Sequence, residues 1–108
     1  MIVVNRFRAG DGVAASDELR GRLHDALDAL RERPGFVDGS VARNLDEPEL
    51  WLLTTRWRDV GSYRRALSSY DVKIAAVPTL SQAVDEPSAY APVGRDDILD
   101  EAVPRQLD

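Results

Sequence analysis

Arg33-Pro34-Gly35-Phe36-Val37-Asp38-Gly39-Ser40-Val41-Ala42-Arg43-Asn44-Leu45-Asp46-Glu47-Pro48-Glu49-Leu50-Trp51-Leu52-Leu53-Thr54-Thr55-Arg56-Trp57 is the stretch that decides the fold. Pro34-Gly35 stops the preceding element, because proline lacks an N–H and glycine accepts a positive φ. Phe36 to Asn44 carries apolar residues at near-alternating positions, and Asp46-Glu47-Pro48-Glu49 has the chemistry of a turn. Leu50 to Trp57 is the most strand-like run in the chain. Residues two apart share a strand face, so Trp51, Leu53, Thr55 and Trp57 lie together, with Leu50, Leu52, Thr54 and Arg56 opposite. Both faces are largely apolar, so both need cover.

Working outward, Ile2 to Arg8 reads as a first strand that ends at Gly10-Asp11-Gly12. A helix follows from about Ala14 or Ala15 to Arg31, with Leu19, Leu23, Ala26, Leu27 and Leu30 on one stripe. Ser16 is its expected N-cap, with Asp17 and Glu18 in the first turn. Beyond Trp57, Asp59 caps a short helix from about Val60 to Ser69, with Tyr63, Ala66 and Leu67 inward. A further turn or two spans Asp71 to Val77, and Pro78 ends it. Thr79 to Asp85 reads as the last strand. Residues 1–90 form one domain, and residues 91–108 read as an extended arm or mobile tail.

The order βαββαβ is the ferredoxin-like split βαβ plan, an α+β fold whose antiparallel sheet carries its helices on one face. The other face, with Ile2, Val4, Leu50 and Leu52, is left bare. A bare apolar face of that size is unusual on a monomer, and a second copy of the chain is the simplest cover.

Composition narrows the chemistry. The 108 residues suit a single domain, and 44% hydrophobic with 31% charged residues suits a packed core under a soluble surface. A net charge of -5 disfavours nucleic acid, and no apolar run approaches the roughly 20 residues of a membrane span. The start lacks the pattern of a signal peptide, so a cytoplasmic location is expected. With no cysteine, disulfides, thiolate metal sites and Cys nucleophiles are excluded, and the single His24 excludes a multi-histidine metal site. The basic residues are nearly all Arg, a bias that hints at a GC-rich bacterial genome. Gly10-x-Gly12-x-x-Ala15 imitates a dinucleotide fingerprint, but it lacks the parallel βαβ unit and the well-placed acid that such a site requires. His24 reads as an edge residue of a packed helix, and the acidic groups at Asp46 to Glu49 and beyond Asp96 read as solvated surface.

Three residues stand out as a candidate site. Asn is depleted in strand interiors, so Asn5 either binds neighbouring backbone or holds the oxygen of a ligand. Trp57 is either core or the wall of a cavity between sheet and helices. Tyr63, on the next helix, can bring a hydroxyl to that cavity. One aromatic wall, one amide and one phenol suit a flat, oxygenated ligand.

Val4-Asn5-Arg6-Phe7, Arg33-Pro34-Gly35-Phe36, the aliphatic run into Trp57 and then Tyr63 together resemble the antibiotic biosynthesis monooxygenase (ABM) superfamily over roughly Ile2 to Tyr90. The resemblance implies a dimeric α+β barrel, in which two ferredoxin-like sheets face each other as a homodimer. It implies cofactor-free oxygenation of small aromatic or polyketide-like substrates, such as anthrones, by molecular oxygen. The substrate ionises and itself passes an electron to O2, with Asn5, Trp57 and Tyr63 at the matching pocket positions and no cofactor. A second branch degrades haem through a ligating His on the second helix, around Ala76 and Val77 here, and this chain has no His after His24. A non-catalytic ligand-binding or structural dimer and a polyketide cyclase or isomerase remain open as alternatives.

Overall fold

A computed structural model describes residues 1–99. The elements are β1 (Ile2–Arg8), α1 (Val13–Arg31), β2 (Phe36–Arg43), β3 (Leu50–Trp57), α2 (Val60–Ser68), α3 (Tyr70–Ala75), α4 (Val77–Leu80) and β4 (Ala89–Tyr90). The four strands form one antiparallel sheet in the order β2-β3-β1-β4. β1 and β3 begin and end as the alternation predicts, and β2 stops one residue short of the expected Asn44, because one apolar set in each must face the helices and a slip of one residue would turn that set to solvent.

On the covered face lie Val3 and Phe7 of β1 and Trp51, Leu53, Thr55 and Trp57 of β3, all buried. Register places Thr55 opposite Val3, Leu53 opposite Asn5 and Trp51 opposite Phe7. The α1 stripe of Leu19, Leu23, Ala26, Leu27 and Leu30 closes over them as the helical spacing predicts. Each fully buried leucine contributes roughly 1.5–3 kcal/mol of hydrophobic stabilisation. The helix packs tightly over Gly39, where a Cβ would stand 2.7 Å from Leu27 Cδ1 and 2.8 Å from the Thr54 carbonyl oxygen. β2 contains a bulge between Phe36 and Asp38. The extra residue, Val37, lets Phe36 and Gly39 both face the helices while Asp38 faces away, opposite Arg56. Asp38 and Arg56 form a bidentate ion pair there, with Arg56 Nε donating to Asp38 Oδ1 at 2.8 Å. The uncovered face also carries Ile2, Val4, Leu50, Leu52 and Thr54, all partly exposed.

Two helix starts follow different chemistry. α1 begins at Val13, earlier than expected, and its N-cap is Gly12 at φ 91°, not Ser16. Ser16 instead donates its backbone N–H to the Gly12 carbonyl at 3.3 Å, inside the first turn. α2 starts as expected: Asp59 Oδ1 accepts the Ser62 backbone N–H at 2.7 Å. That N–H, then the Ser62 hydroxyl, and more weakly Arg58 hold the Asp59 carboxyl below the usual carboxylate range. A depressed folded-state pKa gives stability that is present above the unfolded value of about 3.9 and is lost as pH falls through the lower folded value. The urea midpoint should therefore decline below about pH 4, and Asp59→Asn, which keeps a capping oxygen, should decline less steeply over the same window. Equal pH slopes for the two proteins would mean that Asp59 does not set the decline.

The last strand departs from the sequence reading. Thr79–Asp85 is not a strand. Pro78 sits in the first turn of α4, where its missing N–H leaves no helix bond unmade, and so it starts a helical turn instead of ending one. Ser81 adds a hydroxyl bond to the Pro78 carbonyl at 2.8 Å. The chain then runs along β1, with Val84 N–H bonded to the Arg6 carbonyl at 2.7 Å and Val4 N–H to the Ser88 carbonyl at 2.7 Å. Only Ala89 and Tyr90 form a regular ladder, against Val3 and Ile2. Pro87, without an N–H, cannot contribute to an earlier ladder. Residues 91–99 are exposed, with a turn from Gly94 to Asp97; the remainder of the expected arm lies outside the described residues. No helix among the described residues is long and apolar enough to cross a membrane.

Candidate functional site

The site is built where β3 ends and α2 begins. Trp57 is fixed at both ends of its peptide unit: its N–H donates to the Met1 carbonyl at 2.9 Å, and its carbonyl accepts from the Met1 amino group at 3.1 Å. Its ring is 2% exposed. The Phe36 ring meets it edge-on at 5.3 Å and 88°, and Tyr63 meets it tilted at 5.5 Å and 51°. These are favourable aromatic geometries. The indole N–H donates to Thr55 Oγ1 at 2.8 Å, fully buried.

Tyr63 lies in the first turns of α2 and is partly buried. Burial pushes its phenol above the usual range, so it is a neutral hydroxyl at physiological pH. Asn5 shares the covered face with Trp57, but it sits opposite Leu53, four positions back along β3. At about 3.3 Å per residue, the two are separated by roughly 13 Å along the strand. The buried side-chain polar atoms without a partner among the described residues are Arg33 Nε and Trp51 Nε1. Asn5 is only partly buried, and its amide makes no hydrogen bond there and reaches solvent.

The structure thus brings Trp57 and Tyr63 into contact and leaves Asn5 on the same face at a distance. The main concavities among the described residues are open depressions lined by other side chains. One of about 400 Å³ opens at the hairpin end, where Arg6, Ala42, Leu50 and Leu52 of the uncovered face contribute to it. His24 is exposed on the outer side of α1, and no group of His, Cys, Asp or Glu among the described residues could hold a metal ion. Arg56 points away from Trp57, as alternation requires, toward Asp38.

Sequence reasoning missed Thr55 and Phe36 as neighbours of the Trp57 ring. Alternation alone puts Thr55 on the right face, two residues from Trp57. Phe36 needs the β2 register, which the bulge conceals. The same corner explains Gly35: φ is +88°, and a Cβ there would overlap Cβ and Oγ of the buried Ser62 in α2. The Gly35 carbonyl also accepts the Arg58 N–H at 2.8 Å. Arg33-Pro34-Gly35-Phe36 therefore joins the end of α1 to the start of α2 and seats Phe36 on Trp57.

An antiparallel sheet in this order, with all its helices on one face and an aromatic cluster at the end of β3, defines a ferredoxin-like domain of the α+β class. Residues 1–77 match the family model described as antibiotic biosynthesis monooxygenase, and the chain belongs to that family. Its fold is shared with the cofactor-independent oxygenase SnoaB from Streptomyces nogalater, at 21% identity and a TM-score of 0.69 over 89% of this chain and 96% of that one. It is shared with Rv0793 from Mycobacterium tuberculosis, at 17% identity and a TM-score of 0.65 over 89% and 97%. A conserved protein from Methanosarcina mazei is similar too, at 22% identity and a TM-score of 0.64 over 82% and 84%. No curated protein is matched by the sequence.

Proposed function

We propose that this protein is a cofactor-independent monooxygenase of a small aromatic or polyketide-like substrate, working as a homodimer joined through the uncovered sheet face. The observation that carries the catalytic part is the Asn5 amide. It lies in a strand interior, where asparagine is disfavoured, and it is spent on no hydrogen bond of the described fold. An amide kept there without an internal partner is suited to an oxygen brought by a ligand.

An anthrone-like substrate loses a proton from carbon, and the resulting enolate carries its charge on oxygen, where the Asn5 N–H groups donate. The carbanion form passes one electron to O2. The superoxide and substrate radical combine to form a C–O bond, and the peroxide takes up a proton. Its O–O bond then breaks with loss of the second carbon-bound proton, giving the quinone carbonyl and water. The Tyr63 hydroxyl positions the phenolic edge or shuttles a proton, and Trp57 is the aromatic wall. No metal, flavin or haem has a role in this scheme.

A preorganised donor at a developing oxyanion is worth about 3 kcal/mol, or about 100-fold in rate. Asn5→Ala should therefore lower oxygen uptake with an anthrone probe about 100-fold and leave the melting temperature nearly unchanged, measured on metal-free and flavin-free protein. One observation favours a second reading, a non-catalytic ligand-binding or structural dimer: the Trp57 ring is enclosed by Phe36, Tyr63 and Thr55. That reading takes over if no probe consumes oxygen faster than buffer, or if Asn5→Ala changes stability and not rate. Product formation without oxygen uptake would indicate the cyclase or isomerase.

A further inference from the structure

The charged residues that the strands place on the uncovered face are Arg6 and Arg8 of β1, Asp38 of β2 and Arg56 of β3. Each is already paired within the chain. Arg6 Nε donates to Glu86 Oε1 at 2.6 Å. Arg8 lies 3.3 Å from Glu47 and 3.6 Å from Glu49. Arg56 and Asp38 hold each other in a bidentate pair. The helical layer differs, since Arg31, Arg33, Arg64 and Arg65 are in no ion pair among the described residues.

Arg6 decides what this pattern means. It lies in mid-strand opposite Leu52, with Val4 two residues away on the same face. Its partner comes from far along the chain. Val84 N–H bonds the Arg6 carbonyl, and the Ser88 carbonyl accepts the Val4 N–H. Residues 84–88 are thereby laid along the outer side of β1, which brings Glu86 beside the guanidinium. In a single chain the pair gains little, because its side chains are 42% and 32% exposed and water screens them. The pair matters once the face is covered. Two copies related by a two-fold axis present the same patch to each other, so a net charge on it meets its own likeness across a dry layer. A partner of different chemistry is selected by uncompensated charge, and the strands offer none on this face.

We infer that this face is built for a second copy of itself, and that Glu86 is a specificity-determining residue of the contact because it cancels the Arg6 charge that self-pairing would otherwise bury. The inference rests on the proposed pairing through the sheet face and adds which residues permit it. The segment that runs beside β1 without forming a regular strand then has a task, which is to deliver that carboxylate.

The test measures dissociation constants of the full chain by sedimentation over a dilution series, with circular dichroism to confirm folding. Glu86→Gln leaves Arg6 uncompensated and should raise the dissociation constant about 100-fold. Adding Arg6→Gln to Glu86→Gln removes both charges and should return it to within about threefold of the parent. Asp25→Asn removes the same charge from the exposed side of α1 and should change nothing. Asp38→Asn, which exposes Arg56 in the same way, should weaken pairing too and carries the test if Glu86→Gln does not fold. A folded Glu86→Gln protein that pairs as tightly as the parent, or a double variant as weak as Glu86→Gln alone, overturns the role of Glu86 and leaves the pairing itself standing. A parent that stays monomeric at micromolar concentration, or one whose pairing ignores Leu52→Asp, overturns both.

Discussion

Gly35→Ala should lose about 3–4 kcal/mol of stability, more than almost any other single methyl could remove. Two costs combine at this position. An L-residue held at φ +88° loses roughly 1–2 kcal/mol. The added Cβ would also overlap the Cβ and Oγ of Ser62, which is buried and tied through its N–H to the Asp59 cap. Relieving that overlap means moving α2 away from the α1–β2 turn, at roughly 1–3 kcal/mol. Against a total stability on the order of 10 kcal/mol, the melting temperature should fall by about 12 °C or more. Gly12 supplies the control, since it has nearly the same φ, 91°, and a Cβ there would meet nothing within 4 Å. Gly12→Ala should show the backbone cost alone. Ser62→Gly should recover part of the loss in the Gly35→Ala background while destabilising the parent, a coupling that a double-mutant cycle reads directly. If Gly35→Ala and Gly12→Ala cost the same, the steric contact between the turn and α2 contributes nothing.

Leu52→Asp should dissociate the protein into folded monomers. Leu52 lies on the uncovered face, opposite Arg6 and Ala42, and within one chain it is only partly buried. A carboxylate there stays hydrated in the isolated chain, so circular dichroism should be unchanged. In a pair joined face to face, with an interface of about 1,600 Å² or more, the same carboxylate would be stripped of water, and its cross-strand neighbour Arg6 is already held by Glu86 at 2.6 Å. The dissociation constant should rise by at least about 100-fold, a modest figure beside the cost of burying an unpaired charge. Light scattering over a dilution series measures it, with His24→Asp on the outer side of α1 as the silent control. A stable, folded monomer of the unmutated protein at micromolar concentration would remove the pairing proposal altogether.

Much of this molecule is legible in periodicity. β1 and β3 can be read to the residue because each has one face that must be apolar, and the α1 stripe follows from its spacing. Where period and local chemistry compete, local chemistry wins. Leu80, Gln82 and Val84 alternate like a strand, but Pro78 is well suited to a first helical turn and Ser81 bonds back to it. The bulge at Val37 is hidden because an inserted residue leaves no composition signal. The contact of Trp57 with Tyr63 is legible, since the two are close in sequence and the turn between them is short. The offset of Asn5 is not, because it depends on the register between β1 and β3, which no local pattern states. Alternation places Thr55 on its face but not in its contact, since a hydroxyl aimed at an indole is settled only by packing.

The bulge in β2 also bears on how copies of this chain can accumulate. An outer strand with a regular row of free N–H and C=O groups invites another strand to add, and another after that, without limit. β2 is an outer strand of eight residues, but the inserted Val37 breaks the row near its start and Asp38 places a charge beside the break. The opposite border is β4, which offers only Ala89 and Tyr90. Neither border is a good template for open-ended strand addition, so pairing through the sheet face would close on itself and not extend into a fibre.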